Sequence, residues 1–259
     1  RSPAVRDAIA QFGAVYFAAL GGTGALLARH ITSAEVIAYA DLDTEAIHRL
    51  TIVDFPTIVV NDRYGGDGYV YGTSPNEFLA SVAADVPAGP VLCLAEGEGR
   101  NATFLAGRGH AVTAVDQSSA GLAKAGALAR GRGVPLATVV ADLADFAIAP
   151  QAWSGVVAIF MHLPPALRRA VLARAAAGLR PGGVFVMEAY TPAQPAYGTG
   201  GPRDVTLLPT LAELQAELGD LEWLVARELV RDVREGGGHT GNSAVVQVLA
   251  RRPTSVDRR

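Results

Sequence analysis

The stretch Val91-Leu-Cys-Leu-Ala95, followed at once by Glu96-Gly97-Glu98-Gly99-Arg100-Asn101-Ala102, constrains this chain more than any other. Five apolar residues in a row, with turn residues behind them, read as a strand buried on both faces. Gly97 and Gly99 let the backbone turn sharply and come close to a ligand at the strand's carboxyl end. A helix then starts near Asn101. Strand, glycine turn and helix open an α/β sheet whose ligand site lies along the carboxyl ends of its strands.

Taken alone, Gly-x-Gly-x-x-Ala also fits a dinucleotide-binding turn. Three acids sharpen the reading. Glu96 stands directly before the first glycine, where a carboxylate repels a pyrophosphate but holds the ammonium of a methionine moiety. Asp116 ends the next predicted strand, 19 residues after Gly97, and an acid there accepts from both ribose hydroxyls. Ala141-Asp142-Leu143 ends the third strand: Asp142 suits an adenine amino group and the Leu143 amide a ring nitrogen. Each acid alone also reads as a helix cap or a turn closure. Three at successive strand ends suit a ligand that carries an ammonium, a ribose diol and an adenine.

The alternation continues downstream. Strands read at 91–95, 111–115, 137–140, 155–160, 184–188, 221–230 and 243–250, with helices at 101–107, 119–130, 165–177 and 211–217. The last two strands have no helix between them and should pair antiparallel at one edge. Upstream lie a helix at 75–84 and a linker rich in Asp and Gly at 61–68. Residues 1–62 read as a separate small α/β segment: a helix at 3–11, strands at 14–20, 34–40 and 57–60, a helix reaching about residue 30, and a short helix at 44–50. Residues 63–252 form the second domain and 253–259 a tail. The chain opens Arg1-Ser2-Pro3 without methionine, as expected of a piece of a longer product.

Composition narrows the partners. Half of the residues are hydrophobic and 18% are charged, so a packed core is expected and global disorder is not. The net charge is -3 and no Lys/Arg run occurs, which argues against a nucleic-acid partner. The single cysteine, Cys93, forms no intrachain disulfide, zinc site or iron–sulfur cluster by itself, so no metal is expected, and a reducing, cytoplasmic setting fits. Residues 12–28 carry no charge, but they hold four glycines and fall short of the roughly 20 residues of a membrane span. Gly21-Gly22-Thr23-Gly24 lacks the Gly-Lys-Ser/Thr ending of a phosphate-binding loop and reads as a tight turn.

With these residues in view, 63–252 resembles the class I S-adenosylmethionine (SAM)-dependent methyltransferases, within them the small bacterial group akin to tellurite-resistance and thiol methyltransferases. The stretches that carry the likeness are Arg63-Tyr64, Tyr71-Gly-Thr-Ser-Pro-Asn76, the Glu96–Asn101 loop, Asp116, Asp142, His162-Leu-Pro164 and Pro181-Gly-Gly183. The resemblance implies a Rossmann-like seven-stranded sheet of order 3-2-1-4-5-7-6. It also implies SAM as cofactor, held by Glu96, Gly97, Gly99, Asn101, Asp116, Gln117, Asp142, Leu143 and Phe160, and a small-molecule methyl acceptor, a thiol or chalcogen nucleophile among the candidates. Glu98 departs from the pattern, where a small or uncharged residue is usual; it is expected to matter little, because the loop meets ligand through its backbone.

Residues 1–62 are similar to something else. Arg6-Asp-Ala-Ile9, the stretch 12–22, Val36-Ile-Ala-Tyr39, Glu45-Ala-Ile47 and Val53-Asp-Phe-Pro-Thr-Ile-Val-Val-Asn61 resemble the C-terminal end of class I fumarases and tartrate dehydratases, part of their swivelling β-subunit domain. That family's Gly-Pro-Thr-Thr run, Lys-Gly loop and cluster cysteines are not in this sequence, so its hydro-lyase chemistry transfers to no residue here. The rival to a methyltransferase is thus a fumarate or tartrate hydro-lyase-like chain, not catalytically competent alone. Its first segment would then act as an interaction module, pairing with itself or with a dehydratase α-subunit.

On the acceptor side, His162 follows the fourth strand of the second domain, where it reads equally as a base near pH 7 or as a structural histidine fixing the Pro164-Pro165 turn. Tyr190 ends the fifth strand and is expected to line the pocket. The insert 197–202 reads as a surface loop or a lid. Residues 236–240 read as a hairpin turn, with His239 a lesser candidate for reaching substrate. Methyl transfer from a sulfonium is an in-line displacement that rests on alignment and exclusion of water. A thiolate needs little help from a base, so His162 and Tyr190 stand as the catalytic candidates without either being required.

Overall fold

The computed structural model describes residues 17–18, 28–53, 58–59, 64–236 and 239–254. The chain divides into two units, Arg1–Asp62 and Arg63–Arg259. Most of the sequence expectations for residues 1–27 (the helix at 3–11, the strand at 14–20 and the glycine turn) lie outside the described residues.

In the first unit, β1 (Phe17–Ala18) pairs antiparallel with β4 (Ile58–Val59), and β2 (Ile31–Ala38) pairs antiparallel with β3 (Ile47–Ile52). The short helix expected at 44–50 is not formed. A 3-10 turn at Ala40–Glu45 reverses the chain instead, and 47–52 is extended. The reason is local and cross-strand. Isoleucine, threonine and isoleucine at 47, 51 and 52 lose rotamer freedom in a helix and fit a pleated strand. A helix of that length also nucleates poorly by itself. The ladder adds matched pairs: Ser33 Oγ donates to Thr51 Oγ1 at 2.8 Å, and Glu35 faces Arg49 at 3.2 Å.

The second unit opens with α1 (Glu77–Val82), capped by Asn76, whose side-chain oxygen accepts from the Leu79 amide at 2.9 Å. There follow β5 (Pro90–Leu94), α2 (Arg100–Gly107), β6 (Ala111–Asp116), α3 (Ser119–Arg132), β7 (Ala137–Val140), β8 (Trp153–Ile159), α4 (Pro165–Gly178), β9 (Leu179–Tyr190), α5 (Leu211–Leu218), β10 (Glu222–Glu235) and β11 (His239–Arg251). The strands lie side by side as β7-β6-β5-β8-β9-β11-β10. Counted from β5, that is the expected order 3-2-1-4-5-7-6. The pairs from β7 through β9 are parallel, while β11 runs antiparallel to both β9 and β10.

The chain order reverses on either side of β5, where β6 lies to one side and β8 to the other. Loops leaving those strands therefore part and open a crevice at their carboxyl ends. Both faces of the sheet are covered, which is why β5 and the 155–160 stretch of β8 and its end read as apolar runs. On one face Leu92, Leu94, Val156, Phe185 and Met187 pack with Val171, Leu172 and Ala175 of α4 and Leu214 of α5. On the other, Val91, Cys93, Ala114 and Val186 meet Phe78 and Leu79 of α1, Leu105 of α2 and Leu122 of α3. No helix among the described residues is long and apolar enough to cross a membrane.

Candidate active site

Three residues of the loop after β5 have positive φ: Ala95 (50°), Gly97 (64°) and Gly99 (85°). These bends turn the loop sharply at the end of β5, and its Glu96 and Gly97 amides donate to the Val115 carbonyl and to Asp116. Gly99 is obligatory, because a Cβ there would collide with Ala125 Cβ and lie 2.6 Å from the Ala125 Cα. Helix α3 thus rests directly on the loop.

The acids sit where their strands end, and each also holds backbone. Asp116 is buried; its Oδ2 accepts from the Gly97 amide and its Oδ1 from the Ser118 amide, both at 2.8 Å. Glu96 Oε1 accepts from the Asn101 and Ala102 amides at 3.0 and 2.8 Å, capping α2. Asp142 is exposed and closes a turn by accepting from the Ala144 amide at 2.8 Å. The capping and turn roles are therefore real. A carboxylate has two oxygens with two lone-pair directions each, so neither role exhausts it as an acceptor.

Burial pushes the Glu96 carboxyl up to about 7; the Ala102 and Asn101 amides and the Arg100 charge oppose that rise, and nearby Asp116 adds to it. Asn101 is buried; its side-chain oxygen accepts from the Asn76 amide at 2.8 Å and its own amide donates to Glu96, so it ties the loop to α1. Gln117 is exposed beside Asp116, and Leu143 is buried in the core with its amide on the turn that Asp142 closes. The structure thus brings Glu96, Gly97 and Gly99 together on one loop that Asp116 holds through the Gly97 amide, and it sets Asp142 next to them through the Ala141 amide, which donates to the Asp116 carbonyl at 3.0 Å.

Phe160, His162 and Tyr190 form an aromatic group past the ends of β8 and β9. Phe160 takes φ 52°, an uncommon conformation for a residue with a side chain, and its amide donates to the Glu188 carbonyl at 2.7 Å. Its ring lies 4.6 Å from that of Tyr190, and His162 stacks on Tyr190 at 5.6 Å with an angle of 8° between planes. His162 Nε2 accepts from the Tyr190 amide at 3.4 Å. Tyr190 is fully buried, and burial pushes its phenol well above the ordinary range, so it stays protonated. The insert 197–202 is tied down: the buried Gln194 amide nitrogen donates to Thr199 Oγ1 at 3.0 Å and to the Gly200 carbonyl at 3.1 Å, and its oxygen accepts from the Ala244 amide at 2.8 Å. The side chain of His239 lies outside what is described. Among the described residues, no three His, Cys, Asp or Glu side chains gather to hold a metal ion.

Sequence reasoning missed a buried polar network beside this site. Glu188, fully buried on β9, accepts from Asn76 Nδ2 at 2.5 Å, from Arg231 Nε and Nη2 at 2.8 and 2.6 Å, and from Gln247 Nε2 at 2.7 Å. Glu235 accepts from Asn76 at 2.7 Å and from Arg100 Nη2 at 2.5 Å. Arg100 Nη1 finds no hydrogen-bond partner among the described residues. The one available signal was Glu188 itself, a carboxylate in the apolar run Val184-Phe-Val-Met-Glu188-Ala-Tyr190.

Comparison with known proteins divides the chain in the same way. Residues 91–183 match the family model described as a methyltransferase domain, and residues 1–71 match the model described as the fumarase C-terminus. Class I aerobic fumarate hydratase of Escherichia coli (strain K12) is 38% identical over 68 residues, which are 26% of this chain but 12% of that protein. The matched stretch is thus about an eighth of that relative's length.

Three solved structures share the fold of the second unit. One comes from work on the conversion of a disulfide bond into a thioacetal group during echinomycin biosynthesis (TM-score 0.60, 19% identity, 73% of this chain and 86% of that one). TehB from Haemophilus influenzae gives a TM-score of 0.58 at 18% identity over 80% and 74% of the two chains. A SAM-dependent methyltransferase from Methanosarcina mazei gives 0.55 at 16% over 68% and 98%. Residues 1–71 thus resemble the fumarase C-terminus and residues 91–183 a methyltransferase domain, and the second unit has the Rossmann-like fold of the solved methyltransferase structure.

Proposed function

We propose that the second unit transfers the methyl group of SAM to a small molecule whose nucleophile is soft, a thiol or chalcogen. The observation that carries the cofactor map is the bonded cluster of Glu96, Gly97 and Asp116 with Asp142 at its side. In this reading Glu96 takes the methionine ammonium and Arg100, with spare donors on Nη1, takes the carboxylate. Asp116 accepts from the ribose hydroxyls. Asp142 accepts from the adenine amino group, the Leu143 amide meets a ring nitrogen, and Gln117 and Phe160 flank the nucleoside. A zwitterion suits an acid and a guanidinium side by side; a pyrophosphate does not.

The choice of acceptor rests on the aromatic group. His162 Nε2 already accepts an amide hydrogen, and the Tyr190 phenol is buried and protonated. Neither is disposed to remove a proton from a weak acid. A thiol needs little such help, since a few per cent is already thiolate near neutral pH and the thiolate is a strong nucleophile. The rings of Phe160, His162 and Tyr190 then form a wall that excludes water and suits a polarisable nucleophile. The neighbour from the study of a disulfide-to-thioacetal conversion is a sulfur-related precedent on the same fold.

The test is transfer from SAM carrying a deuterated methyl group to matched panels of small thiols, amines and phenols, followed by mass spectrometry. Label on the thiols alone supports the reading. Label on amines or phenols with none on thiols refutes the acceptor assignment, while leaving methyl transfer in place.

A further inference from the structure

The geometry points to a clasp, Glu98 with Lys124, that holds residues 64–72 as a strap across the cofactor loop and governs how long cofactor stays bound; it rests on the cofactor reading above. Glu98 was expected to be incidental. It is buried, and its hydrogen bonds among the described residues go to the strap and to the residue that grips it. Glu98 Oε2 accepts from the Val70 amide at 2.7 Å and from the Tyr71 amide at 3.5 Å. Glu98 Oε1 accepts from Lys124 Nζ at 2.9 Å. Lys124 Nζ donates in turn to the Gly68 carbonyl at 2.6 Å, and Tyr69 Oη donates to the Lys124 carbonyl at 3.2 Å. The ammonium also stands 6.0 Å from the centre of the Tyr69 ring.

The strap lies on the residues that would meet the ligand. A Cβ on Gly97 would be 2.6 Å from Tyr64 Oη, and one on Gly121 would be 2.9 Å from Tyr64 Cδ2. Tyr64 is therefore packed onto the loop between the first glycine and the start of α3. Tyr71 meets Tyr64 edge to face at 6.4 Å. From the far side, the β10–β11 turn backs the strap: a Cβ on Gly236 would be 2.6 Å from Tyr71 Cα. Cofactor bound at Gly97 would lie under Tyr64, and it would enter or leave as the strap lifts. The clasp makes lifting unfavourable, since opening takes the Val70 and Tyr71 amides from a buried carboxylate and the Gly68 carbonyl from the ammonium paired with it. Glu98 and Lys124 act through the strap; they are positioning residues.

The experiment uses the full chain loaded with labelled S-adenosylhomocysteine (SAH). Lys124→Met keeps the aliphatic stem and removes the ammonium, Lys124→Arg keeps a donor, and Glu98→Gln keeps an acceptor for the Val70 amide without the charge. Release of SAH on dilution and chymotryptic cleavage after Tyr69 and Tyr71 with SAH bound are measured in parallel. Lys124→Met and Glu98→Gln are expected to raise both rates by about tenfold, the factor carried by a partly buried charge-assisted hydrogen bond. Lys124→Arg is expected to recover most of the difference, which a general loss of fold would not show. Wild-type release from Lys124→Met, or unchanged cleavage, overturns the clasp while SAH binding by the wild type stands. A wild type that binds no SAH at all contradicts the cofactor reading and the clasp together.

Discussion

At the scale of single residues, Asp116 has two duties, and a substitution should separate them. Its oxygens orient the Gly97 and Ser118 amides, and in the proposed complex they also accept from the ribose. Hydrogen bonds to a charged group contribute roughly 1.5–3 kcal/mol each. With part of that recovered by solvent, Asp116→Ala is expected to weaken SAM binding by about 2–3 kcal/mol, or on the order of 30–150-fold. It should also lower stability, because two buried amides lose their acceptor. Asp145, exposed and three residues past Asp142, is the control: calorimetry should find Asp145→Ala binding like wild type.

Glu96 supplies a pH signature at the same scale. Its carboxyl is raised from an ordinary 4.5 to about 7 in the folded chain. The ionised form is needed to hold the ammonium, so SAM affinity should fall as pH drops through 7. A site with that pKa is about a tenth ionised at pH 6 and about nine-tenths at pH 8, giving about a tenfold difference in affinity. Stability should run the other way. The folded state binds the extra proton between about 4.5 and 7, so stability declines as pH rises across that window and levels off above it. Glu96→Gln should flatten both curves; an unaltered affinity profile in that variant would assign the titration to another group.

At the scale of elements, the sheet was legible and the buried polar network was not. Strands such as Val91-Leu-Cys-Leu declare themselves because both faces are covered. Their order followed from the family likeness, and the hairpin of β10 and β11 from the missing helix between them. The helix expected at 44–50 gives way to a strand at 47–52 because so short a stretch carries no period that separates helix from strand; its partner β2 decides. The Glu98 clasp spans 28 residues to Val70, and Asn76 reaches Glu188 and Glu235 across 112 and 159 residues. Such pairings exist only once the fold brings those segments together, so a charged residue in a loop or an apolar strand is the sole trace they leave in the sequence.

That network is also what joins α1, β9, β10 and β11. Glu188 receives donors from three other segments, and the Arg231 guanidinium beside it is mostly buried. Glu188→Ala would take from that guanidinium the acceptor of two of its hydrogen bonds and leave the Asn76 amide with Glu235 alone. Breaking one side of a buried ion pair costs about 3–5 kcal/mol. Urea unfolding should show a loss of that size, whereas Glu77→Ala, which removes a mostly exposed partner of the same Arg231, should change stability by less than about 1 kcal/mol.

At the scale of the whole molecule, the two units differ in what they contribute. All of the residues assigned to cofactor and acceptor lie in the second unit, together with the strap and its clasp. A fragment of residues 64–254 is therefore expected to fold and to bind SAH with the affinity of the full chain; an insoluble fragment beside a soluble full chain would mean that the second unit depends on the first. The central claim is that the crevice at the ends of β5, β6 and β7 is built for a zwitterion, a ribose and an adenine, and not for a dinucleotide. Isothermal titration of the full chain with SAH and with NAD tests it most directly. Saturable heat with SAH and none with NAD is the predicted result; saturable binding of NAD with no response to SAH or SAM would contradict it.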